Sequence, residues 1–288
     1  SLILEKAHTT PPNFDQGVMD VLKKSGVDMK SIEAFFHGTT TIINALTERK
    51  GAKTALITTK GFRDILELAR GNRPDLFEKP TPFVPRYLRR EVTERISYKG
   101  EILTPLSEED IRTAVEYLKK EQVEAIAVCY INSYANEEHE RKTVEKIKEL
   151  WPEVYVCPSV DITREWREYE RTSTAVLNAY VMPVASSYLN RLGQRLTDAG
   201  MPENRYIMQS NGGTTTFEQA KLTPVNIVES GPVAGVFGAS ILGKIIGEPN
   251  IIAFDVGGTT AKCSLIDQGA VKVTTSYYIE KDERHAGY

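Results

Sequence analysis

The chain has 288 residues, 41% of them hydrophobic and 26% charged, with a formal net charge of -3. This balance belongs to a folded globular protein, excludes a disordered chain, and leaves no surplus of Lys and Arg to draw it to nucleic acid or an anionic membrane; any anion it binds is held by a local site. No run approaches the roughly 20 apolar residues of a membrane span. Residues 1–10 lack the layout of a signal peptide, and Cys129, Cys157 and Cys263 are too scattered for a metal or disulfide framework, which together imply a cytoplasmic location.

In chain order, residues 2–7 read as a short strand. Asn13 is placed to cap a helix whose Phe14, Val18, Val21 and Leu22 recur at helical spacing, and Gly26 ends it. A strand over 32–36 runs into a loop at His37–Thr41, a helix over 42–49 stops at Gly51, and a buried strand covers 54–58. Residues 71–85 carry Pro74, Pro80, Pro82 and Pro85 and form a long loop or lid. Ser107 and Asp110 bracket the first turn of a helix whose inner stripe is Ile111, Ala114, Val115 and Leu118. The apolar run 123–131 suits a parallel strand covered on both faces.

Asn136 then caps a helix with Val144, Ile147 and Leu150 inward, and a strand over 154–157 completes a second βαβ unit. Helical patterns over 163–181 and 184–199 are separated by Pro183 and closed by Gly200; the alternating charges from Arg164 to Arg171 read as a salt-bridged face. A strand over 205–208 leads to the loop 209–214, and Ser230-Gly231-Pro232 opens a helix with a capping Ser. Strands over 251–254, 261–266 and 271–278 close the pattern, with turns at Gly257-Gly258 and 267–269. The fold class is α/β, with one domain over 1–182 and a second over 183–288 that carries a hairpin at 251–266.

The sharpest chemical signal is in that hairpin. A strand delivers Asp255 at its end, Gly257 and Gly258 let the backbone approach an anion, and Thr259, Thr260 and Lys262 supply hydroxyl, N–H and ammonium donors. A plain hairpin turn needs Gly-Gly but not Asp, paired Thr and Lys together. Asp255 would face the metal that accompanies bound phosphates. Gly231, Gly235 and Gly238 share one helix face without side chains, which a nucleotide or another helix could approach. At His37-Gly38-Thr39-Thr40-Thr41 a strand feeds a helix N-terminus, an anion-binding arrangement with more hydroxyls than capping requires. His37 could serve there as general base or hydrogen-bond donor. Arg63, Arg70 and Arg73, with Asn72 between them, border the Pro-rich loop and either grip an acidic group or lie in solvent.

Taken together, His37–Thr41 through Lys50-Gly51-Ala52, Gly61-Phe62-Arg63-Asp64, Arg70-Gly71-Asn72-Arg73-Pro74, Arg167–Arg171 and Phe254–Thr260 resemble the A subunit of the hydantoinase/oxoprolinase family. The resemblance implies an actin-like ATPase fold: an incomplete ribonuclease-H-like domain followed by the beginning of a second. It also implies ATP and Mg2+ as cofactors, a small cyclic amide as substrate, a B-type subunit as partner, and an oligomer. By resemblance, phosphorylation of the amide carbonyl oxygen activates the ring for opening, with Asp255 and His37 catalytic. Asp255 organises the metal through water. Gly257, Gly258, Thr259, Thr260, Lys262, Gly231 and Gly235 hold the nucleotide, and Gly38, Thr39, Thr40, Thr41, Arg70, Asn72 and Arg73 face the substrate. Acetone and acetophenone carboxylase subunits share the family, so a ketone-carboxylase role is an alternative; a non-catalytic ATPase activator is another. Family members open with an Asp-x-Gly-Gly-Thr hairpin that nothing upstream of Leu2 supplies, so the expectation is a fragment that binds ATP weakly or not at all and hydrolyses none.

Overall fold

The structure is a computed structural model that describes residues 3–71, 81–256, 261–274 and 277–279. Helix α1 (Phe14–Lys24), strand β1 (Phe35–His37), helix α2 (Thr41–Thr47), strand β2 (Thr54–Thr59) and the short helix α3 (Ile65–Leu68) come first. Strands β3 (Arg89–Val92), β4 (Arg95–Ile96) and β5 (Ile102–Thr104) follow, then α4 (Glu108–Lys120), β6 (Ala125–Cys129), α5 (Glu138–Leu150) and β7 (Tyr155–Pro158). The long helix α6 (Glu168–Asp198) leads to β8 (Arg205–Met208), β9 (Thr214–Thr216), α7 (Phe217–Leu222) and α8 (Ser230–Ile246). Strands β10 (Ile251–Val256), β11 (Ala261–Asp267) and β12 (Ala270–Val271) come last. The chain packs as two units, Ser1–Ile43 with Val184–Val273, and Asn44–Pro183 with Thr274–Tyr288. Among the described residues no helix is long and apolar enough to cross a membrane.

In the unit built on 44–183, apolar runs become the interior of a parallel sheet of order β3-β2-β6-β7. Every residue of β2 and β6 is buried, including Thr54, Thr58 and Thr59 of β2, as in strands covered on both faces. α4 presents Ile111, Ala114, Val115 and Leu118 to this core, and its Ser107 accepts the Asp110 N–H. Asn136 accepts the Glu138 N–H at the start of α5, from which Ile147 is fully buried. Cys129 and Cys157 lie in this core as small hydrophobes.

Several polar groups buried beside the sheet partner one another. Glu140 of α5 accepts from the Tyr130 and Val160 N–H groups and from Ser159, and burial still pushes its carboxyl above the usual range. Glu94 meets His139 at 2.8 Å and the Thr59 hydroxyl, which also accepts the Ile131 N–H.

Several sequence expectations are corrected here. Strand β3 is absent from the reading because Arg89, Arg90 and Glu91 disguise it, yet Arg89 is fully buried, its Nε donating to the Val84 carbonyl and its Nη1 lying 3.3 Å from Glu67. The break at Pro183 does not occur: α6 is one helix across it. A mid-helix proline frees carbonyls one turn back, and the Tyr180 carbonyl accepts the Ala52 N–H at 2.9 Å, which keeps that group satisfied. Nor is 164–171 a simple charged helix face. Residues 164–167 precede α6, Arg164 pairs with Glu137, and Arg171 is buried and donates to the Glu165 and Tyr130 carbonyls.

In the unit built on 3–43 and 184–273, β1 pairs parallel with β8, which pairs antiparallel with β9. β10, β11 and β12 form a separate antiparallel sheet, and α8 packs on β8 and on β10–β12. Residues 3–7 are not a strand; they carry no ladder partner, and Ile3 and Leu4 are exposed. Strand β1 lies at Phe35–His37 rather than 32–36, where pairing with Arg205–Ile207 is available. Of the strand expected over 271–278, Val271 belongs to β12, 272–274 and 277–278 are irregular, and 275 and 276 lie outside the described residues. Asp15 of α1 is buried and anchored by Arg191 and Arg195 of α6.

Candidate functional site

Strand β1 delivers His37 beside β8, and the turn that follows lies against the first turn of α8. Gly38 makes the approach possible: a Cβ there would come within 3.1 Å of the Ser230 carbonyl oxygen and 3.3 Å of the Gly231 Cα. Gly231 answers from the helix side, where a Cβ would lie 3.3 Å from the Thr40 methyl. The two glycines let two backbones meet. The contact is then fixed by a reciprocal pair of bonds, with the Thr39 N–H donating to Ser230 Oγ at 3.0 Å and that hydroxyl donating to the Thr39 carbonyl at 2.9 Å. The Gly231 N–H also reaches this carbonyl at 3.3 Å. Thr39 Oγ1 accepts the Thr41 N–H at 3.1 Å and contacts Thr41 Oγ1 at 2.8 Å, while Thr40 is exposed.

His37 Nε2 lies 2.7 Å from the Tyr188 hydroxyl, and its ring stacks at 6.0 Å on Phe35. Part of the imidazole still meets solvent, but the dense surroundings disfavour its charged form and lower its pKa to about 4. Burial pushes the Tyr188 hydroxyl up to about 12, against a smaller opposing hydrogen bond with Thr39. At neutral pH the pair is therefore a neutral imidazole and a protonated phenol.

The hairpin β10–β11 brings its own charges to the same helix start. Asp255 stands opposite Lys262 in the ladder, yet the Lys262 ammonium bonds Glu229, the residue before α8. Asp255 is exposed and makes no ion pair among the described residues. Glu229 in turn has its N–H held by Ser210 at 3.0 Å. Along α8, Gly235 and Gly238 border open space: a Cβ at either would meet nothing within 4 Å. Gly231 is used for close packing and Gly235 and Gly238 are not.

The hairpin tip, Gly257, Gly258, Thr259 and Thr260, lies outside the described residues, as do Asn72 and Arg73. Arg70 belongs to the other unit, has φ 55°, and is engaged by Glu170. Among the described residues no group of three or more His, Cys, Asp or Glu is arranged to hold a metal ion. Sequence reading took Ser230 as a cap, but Ser230 is the first residue of α8 and its hydroxyl serves Thr39 instead. Tyr188 and Glu229 were not singled out at all. Their partners lie far away in the chain, His37 and Lys262, and no local pattern announces such pairs.

Two family descriptions match the chain, "Hydantoinase/oxoprolinase N-terminal region" over residues 1–151 and "Hydantoinase/oxoprolinase" over residues 171–287. An uncharacterised protein of Methanocaldococcus jannaschii is 40% identical over 98% of this chain and 42% of its own length. The nucleotide-free structure of acetone carboxylase superposes with a TM-score of 0.84 at 28% identity, over 93% of this chain and 41% of that one. The ATP-dependent caprolactamase of Pseudomonas jessenii does so with a TM-score of 0.78 at 32% identity, over 92% of this chain and 40% of that one. The chain thus spans less than half the length of these relatives. With matches that run from residue 1 to residue 287 in two successive segments, it belongs to the hydantoinase/oxoprolinase family.

Proposed function

We propose that the chain is part of an ATP-dependent enzyme that activates the carbonyl of a small cyclic amide for hydrolysis, built on the actin-like ATPase fold with ribonuclease-H-like domains. The observation that carries this reading is the convergence, within one unit, of the His37–Thr41 turn, the first turn of α8 and the Asp255 hairpin, tied by the Thr39–Ser230 and Lys262–Glu229 bonds. The residues suit a nucleotide and its metal. The glycine face of α8 leaves room beside Gly235 and Gly238, and Lys262 is diverted to Glu229 so that the Asp255 carboxylate stays available. A lone carboxylate suits Mg2+, which retains much of its water and takes further oxygens from phosphates.

ATP would supply the phosphoryl group that turns a poor electrophile into an activated one. In this reading Asp255 would hold the metal ion through water, and Gly257, Gly258, Thr259 and Thr260 would hold the phosphate oxygens. The neutral His37, oriented by Tyr188, offers a hydrogen bond rather than a charge. The turn Gly38–Thr41 faces substrate. A B-type subunit, an oligomeric assembly and a cytoplasmic location complete the proposal. A ketone-carboxylase role is the second reading, favoured by the acetone carboxylase superposition.

The test is ATP turnover by the whole protein with its partner subunit, offered a hydantoin, an oxoproline, a lactam and a ketone in turn. Stimulation by a cyclic amide supports the first reading and stimulation by a ketone the second. Asp255→Asn is expected to lower turnover by about a hundredfold or more while leaving the fold intact. Undiminished turnover in that variant would reduce Asp255 to a turn residue.

A further inference from the structure

The unit built on 44–183 holds a half-open cleft of about 270 Å³ that no part of the proposed function uses. Its wall combines the turn after β2, the first residues of β3 and the first turns of α4, and it includes Lys60, Arg63, Arg89, Arg90, Glu91 and Asp110. Cations outnumber carboxylates there. The carboxylates are also already employed, since Glu91 accepts the Gly61 N–H at 2.7 Å and Asp110 accepts the Thr93 N–H at 2.8 Å. Hydrogen bonding to Thr93, more than the nearby Lys60 charge, keeps Asp110 below the usual carboxylate range, so it remains an acceptor for the backbone.

The cations divide differently. Arg89 is committed to Val84 and Glu67. Arg90 lies over the Tyr117 ring at 4.3 Å, a contact that holds a guanidinium without consuming its N–H donors. Lys60 and Arg63 make no ion pair among the described residues, and Arg63 Nε is buried without a hydrogen-bond acceptor. A buried guanidinium N–H with no acceptor is costly and calls for an explanation. The turn that carries it is not loose: Glu91 holds the Gly61 N–H, Thr59 the Phe62 N–H, and Arg86 clamps Asp64 through two bonds at 2.7 and 2.9 Å. The braced turn sets Arg63 in the same wall as Lys60 and Arg90, and three cations without an ion pair among the described residues, gathered on one cleft, suit an oxygen anion.

We propose that this cleft binds a compact oxyanion, the phosphoryl or carboxylate group of a small molecule or inorganic phosphate itself, with Arg63 and Lys60 as its principal donors. The test titrates the whole protein with inorganic phosphate, methyl phosphate and acetate at low ionic strength, reading the Arg63 side-chain N–H resonance and calorimetric affinity together. Saturable binding that moves the Arg63 signal is expected for at least one of them, and the ranking identifies the source. Arg63→Ala and Lys60→Ala should each weaken it about tenfold or more, and Arg63→Lys less. Lys60 is exposed, so its variant keeps the test open should Arg63→Ala fail to fold. No saturable binding by any of the three anions, or binding indifferent to both alanine variants, would overturn the assignment.

Discussion

Ile126, in a strand flanked on both sides by parallel neighbours, has no solvent contact, whereas Ile252, also in a strand, keeps 68% of its surface exposed. The contrast extends to the units around them. In the 44–183 unit the sheet is covered by apolar side chains, and polar groups such as Glu94, His139 and Thr59 close on one another. In the other unit the decisive contacts are between backbones, where Gly38 meets α8 and Ser230 bonds both polar atoms of the Thr39 peptide. The first arrangement supplies stability through burial, and its spare donors, Lys60 and Arg63, lie in the cleft beside the sheet. The second leaves Thr40, Asp255 and the bare stretch of α8 unoccupied by their own neighbours, which is what a ligand site needs.

The largest effect should come from testing that contrast with one substitution in two places. Ile126→Ala removes methylene groups from a close-packed core and is expected to cost about 2–5 kcal/mol of unfolding free energy in urea. Ile252→Ala should stay within about 0.5 kcal/mol, as exposed positions do. Equal losses would mean that the β10 face is covered in solution and that the two units are stabilised alike.

The same difference governs what could be read in advance. β2, α4 and β6 were legible because burial writes itself into sequence as periodicity, and because Ser107 and Asp110 mark a helix start by local chemistry. β3 was illegible since a buried arginine is tolerated only by partners, Val84 and Glu67, that no local pattern reveals. Pro183 misled for a related reason: a distant N–H, that of Ala52, satisfies a carbonyl in the preceding turn. At the candidate site the glycines and threonines were conspicuous, but Ser230 and Tyr188 act on residues more than a hundred positions away.

A second effect isolates the polar region through pH. The folded-state pKa of His37 is about 4, below the ordinary 6.5, so the unfolded chain binds its proton first. Its contribution is therefore fully present above pH 6.5 and is lost as pH falls toward 4, by at most about 3 kcal/mol. Urea unfolding at pH 7 and pH 4 should show this loss in the wild type and a smaller one in His37→Gln, which keeps a polar group near Tyr188 without titrating. An identical pH dependence in both proteins would place the acid sensitivity elsewhere, in carboxylates such as Asp110.

The smallest effect is the most discriminating for the site. Gly235 and Gly238 lie inside α8, where replacing glycine by alanine restores helix propensity worth about 0.5–1 kcal/mol. Neither residue has the positive φ that would strain an alanine, and neither faces an atom within 4 Å that a methyl group would strike. Folding alone therefore predicts that Gly235→Ala and Gly238→Ala raise stability. A nucleotide that lies against this face would oppose the change, because each added methyl occupies the space that the ligand fills. The expected result in the whole protein is a higher unfolding midpoint together with weaker ATP affinity. Gly231→Ala serves as the contrast, since its methyl would meet Thr40 at 3.3 Å and lower stability whether or not a ligand binds. If Gly235→Ala and Gly238→Ala stabilise the fold and leave nucleotide affinity unchanged, the bare face of α8 receives something other than a nucleotide, and the site must be drawn from the turn and the hairpin alone.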